Sequence, residues 1–599
     1  MCGIFGLWVN RPLNKDDIKK AQDATSMLIH RGPDGKGEYM DRENGLFLSH
    51  TRLSIIDLSD SNHQPMKKDS VILSYNGEVY NYKEIAKKLA ENNIFSETNG
   101  DTEVVLNAWI KWGKKALDRF DGMFAFAIKD RDGLHLVTDP FGEKPLYYVH
   151  REDAVYFASE PEPLIRLLSL SFEPSMDEKA AFMSLGYIPA PKTGFQDLRS
   201  MPPGHILTIS PDFKARHEHY WRSPESLVGK GAIQPLKQSQ IDDIHHCLIE
   251  SIKLRLRSDV PVGLFLSSGV DSALIASIIA LELKQDVKTL TVSFRDGKDE
   301  SVEAAAIADF LRLSHHTVHS EEDEEWKKTP EALLSLYGVP NDNMTALAVY
   351  QMSRLARQHF KVALSGLGGD ELFYGYQKHL FLYQKGLLYR FGPRVLEVLR
   401  PFEKFLNKLK GWRLAHKLLQ PTPELQYLSL KNNGLIDELK GLIDSFEWMK
   451  SIFSGKNNFL AFDVRDFDLS YSLPNSHIPA IDRGSMRAGL EVRTPFLSRD
   501  LITLTSQIDS RSFLKGGQKW VLRKILNCYL PDHLMIEGKK GFVYPAKRYL
   551  TQCGNEPPHI AGFNQKAVRS IWNNRVLPEF SSLALRLPIL EKAYEIYSP

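Results

Sequence analysis

Two stretches carry residues whose types and spacing could do covalent chemistry. The first is the start, Met1-Cys2-Gly3-Ile4-Phe5-Gly6-Leu7. If Met1 is removed, Cys2 carries a free α-amino group with an ordinary pKa of about 7.7–8.0. That amine can act as the base for its own thiol, the arrangement of an N-terminal nucleophile. Taken alone, a small apolar residue opening a strand accounts for Cys2 better. The second stretch is Ser267-Ser268-Gly269-Val270-Asp271-Ser272. It follows the apolar run 262–266 and precedes helical spacing, with Leu274, Ile278 and Leu281 expected on one face. A strand, a small-residue turn and a helix N-terminus make an anion site, because N–H groups, hydroxyls and the helix dipole all favour negative charge. The turn is not a Walker A loop, since it lacks that motif's glycine spacing and its lysine. Asp271 could hold a magnesium ion bridging phosphate oxygens. An ordinary βα turn with a Ser/Asp cap is the plainer alternative.

A second acidic, glycine-rich turn, Ser365-Gly366-Leu367-Gly368-Gly369-Asp370-Glu371, follows the strand expected near residues 357–364. Strands are also expected at 262–266 and 287–294, and helices at 241–257, 273 onward and 301–313. Strands alternating with helices argue for a parallel, doubly wound sheet. Ligands of such sheets sit at the C-terminal ends of the strands. Both turns lie there, so Asp271 and Asp370 could converge on one metal. A flexible loop is the alternative for the second turn. In the first part of the chain, residues 4–9 and 71–73 read as buried strands and 50–57 as a strand carrying Arg52. Residues 75–81, with Asn76, Gly77 and Glu78, read as a polar turn. Gly100-Asp101-Thr102-Glu103 reads as a helix cap.

Bulk properties narrow the class. The chain has 599 residues, 43% apolar and 25% charged, with a formal net charge of +2. That is a soluble, multidomain composition with no electrostatic case for nucleic acid or an anionic membrane. The four cysteines are too scattered for a disulfide framework or a CxxC metal site. No apolar run reaches membrane-spanning length, and no secretory signal opens the chain. A cytoplasmic protein working on small soluble substrates is expected.

Seven clusters together resemble the glutaminase domain of class II glutamine amidotransferases. They are Cys2-Gly-Ile-Phe-Gly, Arg31-Gly-Pro-Asp, His50-x-Arg-Leu-Ser-Ile, Asn76-Gly-Glu, Gly100-Asp-Thr-Glu, Asp139-Pro-Phe-Gly-x-Lys-Pro-Leu-Tyr and Phe157-Ala-Ser-Glu160. The resemblance covers residues 2–210 and implies a four-layer αββα N-terminal-nucleophile fold. It implies that Cys2 attacks the side-chain amide of glutamine. It places Asn76 and the Gly77 N–H in the oxyanion hole, Arg52 on the glutamine carboxylate, and Asp101 and Glu78 near its α-ammonium. Residues 211–240, without apolar periodicity from 223 on, read as a linker.

The second half, residues 241–550, is similar to the synthetase domain of the glutamine-hydrolysing asparagine synthetase family. Ser267–Ser272 is close to the S-G-G-x-D-S pyrophosphate loop of AMP-forming ATP pyrophosphatases, which share the adenine-nucleotide hydrolase-like fold. Ser365-Gly-x-Gly-Gly-Asp-Glu371, Asp482-Arg483-x-Ser-Met486 through Glu491-x-Arg493-x-Pro-Phe496-Leu, and Lys539-Lys-Gly-Phe542 through Pro545 fit the family. The resemblance implies adenylation of a carboxylate by ATP, followed by attack of ammonia carried through a tunnel between the domains. ATP would lie on Leu266, Ser267, Ser268, Gly269, Asp271, Ser272, Val292, Ser365 and Gly366. Asp271 and Asp370 would bind Mg²⁺, and Lys539 would stabilise charge on the transferring phosphoryl group. Arg483 and Arg493 fit structural ion pairs equally well.

The chain departs from that family at three points. Ser268 replaces a glycine, which requires a negative φ. Ser498 replaces an aspartate. Leu367 replaces an acidic residue thought to assist proton removal from the incoming amine. The expected acceptor is aspartate, with a different carboxylate in a specialised pathway as the alternative. Residues 378–470 show helical periodicity without chemistry, and 551–599 read as a partly helical tail. Both are expected to be added scaffold or the surface of a homodimer.

Overall fold

In the computed structural model the described residues are 2–228, 232–293, 299–319, 328–384, 423–433, 435–443, 461–535 and 546–598. The first unit contains twelve strands: β1 (Gly3–Val9), β2 (Gly35–Asp41), β3 (Leu46–Arg52), β4 (Met66–Lys68), β5 (Val71–Val79), β6 (Gly122–Asp130), β7 (Gly133–Thr138), β8 (Tyr147–Arg151), β9 (Ala154–Ala158), β10 (Arg199–Ser200), β11 (His205–Ile209) and β12 (Ala215–His219). They form two six-stranded sheets, ordered β10-β8-β9-β1-β3-β2 and β12-β11-β7-β6-β5-β4. All their pairings are antiparallel. Their inner faces meet through Ile4, Trp8, Leu46 and Leu48 from one sheet and Ile72, Ala125, Ala127, Leu136 and Leu207 from the other. Helices Lys15–Ser26 and Pro161–Leu168 cover the first sheet, and Tyr82–Ala90 with Asp101–Trp112 the second. The result is the expected αββα sandwich.

The second unit is built on five strands: β13 (Val262–Phe265), β14 (Lys288–Ser293), β15 (His315–His319), β16 (Val362–Leu364) and β17 (Glu491–Arg493). Their order is β15-β14-β13-β16-β17, and every pairing is parallel. The order reverses beside β13, so ligand space opens between the C-terminal ends of β13 and β16.

Several local expectations change. Residues 75–79 are not a turn: β5 runs to Val79 and pairs with β6 from Ile72↔Lys129 to Val79↔Gly122. Tyr75 and Val79 are buried and continue the apolar inside, which a turn would not. β3 ends at Arg52, so residues 53–57 leave the strand. The helix Val270–Ser277 passes into a π-helical turn, Ile278–Glu282. The wider turn rotates the following residues, so Leu274 and Ile278 are buried but Leu281 is 43% exposed. Of the stretch 378–470, where helical periodicity is expected, residues 385–422, 434 and 444–460 lie outside the described residues.

Residues 551–599 are partly helical, as expected, and their last helix is docked. The helix Ser581–Tyr597 buries Leu583, Leu585, Leu587, Ile589 and Leu590. It reaches back to the first unit, packing against the helix Met176–Leu185. Phe172 N–H donates to the Tyr597 carbonyl at 3.1 Å. Tyr594 and Tyr597 stack edgewise on Phe172 and Phe195, with ring centroids 5.2 and 5.3 Å apart.

Candidate active sites

The first site lies at the start of β1, where β3 and β5 converge. Cys2 is buried, and its main-chain nitrogen donates to Asn76 Oδ1 at 3.0 Å. Asn76 is wholly buried, and among the described residues its Nδ2 has no hydrogen-bond partner. A buried N–H without a partner costs free energy unless something else accepts from it. Gly77 follows, and a Cβ there would stand 2.3 Å from the Met123 carbonyl oxygen, so the strands close only over glycine. Burial pushes the Cys2 thiol above its ordinary value, and the positive end of the chain and a Leu53 main-chain hydrogen bond oppose that shift.

Arg52 ends β3 and lies buried beside this site. Its guanidinium donates to the Ser59 carbonyl at 2.9 Å and to the Asp57 carbonyl. Asp101 does not cap its helix as the sequence suggested. Gly100 holds the N-cap position, and Asp101 Oδ2 accepts from Tyr75 Oη at 2.7 Å and Val79 N at 3.0 Å. Burial pushes the Asp101 and Glu78 carboxyls upward. Asp101 and Glu491 raise Glu78 further, and Arg493 opposes them.

Arg31 ties this site to the second unit. Its Nε donates to the Cys2 carbonyl at 3.1 Å. Its Nη1 and Nη2 donate to Asp482 at 3.0 and 3.1 Å, and Nη1 also reaches Glu160 at 2.8 Å. Lys144 lies 3.5 Å from Asp482, and Arg483 lies 3.0 Å from Glu160. Asp482 and Arg483 therefore belong to the junction between units, where they act as ion-pair partners.

The second site is at the C-terminal ends of β13, β14 and β16. Ser267 N–H and Oγ reach Ser272 Oγ at 3.1 and 2.9 Å, and Gly269 N–H donates to Ser267 Oγ at 3.2 Å. Ser268 does not take a positive φ, so serine fits there. Its N–H donates to Glu300 Oε2 at 3.2 Å, so an anionic oxygen already sits on this loop. Leu266 is buried and Val292, Ser365 and Gly366 are half-buried around the mouth. A Cβ on Gly366 or Gly369 would lie 2.7 Å from atoms of Asp271. Glycine is required because the two turns touch.

Asp271 and Asp370 do converge. The group that joins them is Lys519, whose Nζ lies 2.5 Å from Asp271 Oδ2 and 2.6 Å from Asp370 Oδ1. Lys519 precedes the helix Trp520–Leu526 in an αL conformation with φ 50°. Nothing in the sequence singled it out, and Lys539, the lysine expected to stabilise phosphoryl charge, lies outside the described residues. Two carboxylates that meet at one ammonium can also meet at one divalent cation. Two hard oxygen ligands leave the remaining coordination positions to phosphate oxygens and water, as magnesium prefers. Among the described residues no group of three or more His, Cys, Asp or Glu side chains could hold a metal by itself. Deeper in, Tyr376 Oη donates to Glu371 at 2.6 Å, and Asp468 binds Lys378 and His379 at 2.7 and 3.0 Å. Leu367 is half-buried against the main core.

Comparison with known proteins assigns both halves. Residues 1–221 match the family model described as a glutamine amidotransferase domain, and residues 243–555 match the one described as asparagine synthase. The chain belongs to the asparagine synthase family. It is accordingly a glutamine-hydrolysing carbon–nitrogen ligase of a family that uses ATP. It is 30% identical to "Asparagine synthetase [glutamine-hydrolyzing] 1" of Bacillus subtilis, over 93% of this chain and 89% of that one. It is also 30% identical to a "Putative asparagine synthetase [glutamine-hydrolyzing] 2" of Methanocaldococcus jannaschii, over 81% and 98%. A more distant relative is "Amidase chry2" of Gibberella zeae, 28% identical over 63% of this chain and 59% of that one. In this asparagine synthase family member no described helix is long and apolar enough to cross a membrane.

Proposed function

We propose that the chain moves the amide nitrogen of glutamine to aspartate through an acyl-adenylate, releasing glutamate, AMP and pyrophosphate. The convergence of Asp271, Asp370 and Lys519 beside the Ser267–Ser272 loop carries this reading. A carboxylate is a poor acyl donor and must be activated before ammonia can displace anything from it.

In the first half-reaction the Cys2 thiol attacks the side-chain amide carbon of glutamine, and its proton passes to the leaving nitrogen by way of the α-amine. Asn76 Nδ2, buried and without a partner among the described residues, and the Gly77 N–H receive the oxyanion, where charge appears only in the transition state. Arg52 meets the α-carboxylate, and Glu78 and Asp101 meet the α-ammonium. Ammonia leaves, and water hydrolyses the thioester to glutamate and free thiol.

In the second, a carboxylate oxygen of the acceptor attacks the α-phosphorus of ATP, and the bond to pyrophosphate breaks. Ser267, Ser268, Gly269 and Ser272 hold the leaving pyrophosphate, and Lys519 neutralises charge building on the transferring group. Leu266, Val292, Ser365 and Gly366 line the adenosine pocket. Magnesium, held by Asp271, Asp370 and phosphate oxygens, would supply further charge neutralisation. Ammonia then attacks the acyl carbon and AMP departs.

Leu367 favours a second reading, in which the acceptor is another carboxylate. An apolar side chain stands where the family's base is expected, so the pocket differs at the point that meets the amine. Pyrophosphate release measured with aspartate and with a panel of other carboxylates separates the two. Strong stimulation by aspartate and asparagine as product support the first reading. ADP with phosphate in place of AMP with pyrophosphate would refute both.

A further inference from the structure

β17 contributes to both sites at once. Its main chain belongs to the nucleotide side: Ser365 N–H, which opens the second turn, donates to the Arg493 carbonyl at 2.9 Å. Its side chains belong to the glutamine side. Arg493 is wholly buried, donates Nε to Glu491 Oε1 at 2.7 Å, and donates Nη1 to the Arg255 and Arg257 carbonyls at 2.8 and 2.6 Å. Those bonds fix the guanidinium. Its Nη2 stands 3.8 Å from Glu78 Oε1, within ion-pair range but beyond a hydrogen bond. Among the described residues neither Nη2 nor Glu78 Oε2 has a hydrogen-bond partner.

Glu78 directly follows Asn76 and Gly77 on β5, so what sets Glu78 also borders the oxyanion donors. Three buried carboxylates, Glu78, Asp101 and Glu491, face one guanidinium here. Carboxylates outnumber cations here, which favours one more cation, such as the α-ammonium of an amino-acid substrate.

We propose that Arg493 is a positioning residue of the glutamine site, holding Glu78 toward the substrate α-ammonium, and that its main-chain bond to Ser365 makes this hold depend on the state of the nucleotide turn. The inference rests on the reading of Cys2, Asn76 and Glu78 as the glutamine site. Closing the 3.8 Å gap to a charge-assisted hydrogen bond tightens glutamine, and movement of the Ser365 turn moves the strand that carries the guanidinium.

The test compares wild type with R493K and with E491Q/R493M, the latter leaving neither partner of the pair charged. In both variants the KM for glutamine in the glutaminase assay should rise about tenfold, the loss of one charge-assisted contact, with kcat nearly unchanged. Ammonia-dependent pyrophosphate release should stay within about twofold. The ratio of glutaminase kcat/KM with and without ATP plus acceptor should differ from one in wild type and return to one in both variants. Wild-type KM and ratio in either variant overturns the proposal. So does parallel loss of both activities in both variants, which marks a purely structural arginine. C2A separates the underlying reading: if it keeps glutaminase activity the site itself is misassigned, whereas an inactive C2A with an unaltered ratio in R493K refutes only the role of Arg493.

Discussion

Arg31 grips both carboxylate oxygens of Asp482, at 3.0 and 3.1 Å, across 451 positions of sequence. The same guanidinium holds the Cys2 carbonyl at 3.1 Å. A carboxylate of the second unit thus steadies the residue that steadies Cys2. Asp482 is held below the usual carboxylate range despite its burial, mainly by the charges of Arg31 and Lys144. Removing one partner leaves a buried charge uncompensated, which costs about 3–5 kcal/mol. D482A should therefore lower the thermal midpoint by several degrees and impair glutaminase activity. R31M/D482L should recover much of the midpoint in a calorimetric scan.

C2A should abolish glutamine hydrolysis and glutamine-dependent synthesis. Ammonia-dependent pyrophosphate release should survive, because the second site shares no reacting atom with Cys2. Mass spectrometry of the active protein should find Cys2 as its first residue.

N76A removes a buried donor that has no acceptor among the described residues. By the scale of oxyanion-hole deletions, glutaminase kcat should fall about 10²–10³-fold. The KM for glutamine should change little, and ammonia-dependent synthesis should not change. A rise in KM with kcat intact would place Asn76 in ground-state binding instead.

K519M should stop pyrophosphate release with either nitrogen source and leave glutamine hydrolysis intact. The side chain joins Asp271 to Asp370, and methionine keeps its length without the charge. Retained synthesis would return the phosphoryl-stabilising role to Lys539.

Glu371 gives a pH signature. Burial, then the Asp370 charge, pushes its carboxyl to about 7, against the bond from Tyr376. The folded chain keeps a proton that the unfolded chain releases near pH 4.5, so this contribution is complete below about 4.5 and is lost as pH rises through 7. Asp468 and Glu160 act oppositely. They are held low by Lys378 with His379, and by His30 with the arginines, so their contribution is lost on acidification. E371Q should flatten the decline in stability between pH 4.5 and 7 by about 1.4 kcal/mol per unit. Thermal midpoints at pH 5 and 7.5 measure it, and an unchanged slope would mean that Glu371 is ionised in the fold.

What the sequence revealed was local. Cys2, Asn76-Gly-Glu78 and Ser267–Ser272 stand in short runs because the chemistry needs neighbouring backbone groups. Asn76 was legible as a candidate site residue but not as a strand residue, since Asn-Gly signals a turn unless a partner strand such as β6 pairs with it. Lys519 left no local trace: a lysine before an apolar helix looks like a cap or a solvated end, and only the fold carries it to Asp271. The last stretch was legible as partly helical, but not its docking, since Leu583–Leu590 carry no local sign of the first unit that their helix packs against. Leu281 was misplaced because helical spacing assumes 3.6 residues per turn, and the π turn breaks that count.

The docking of Ser581–Tyr597 onto the first unit has a consequence for synthesis on the ribosome. Phe172 and Phe195 wait uncovered until Tyr594 and Tyr597 emerge hundreds of residues later, an interval on the order of tens of seconds. Arg31 waits likewise for Asp482. The first unit is thus made first and finished last, because both its aromatic pair and its buried guanidinium wait for residues of the second.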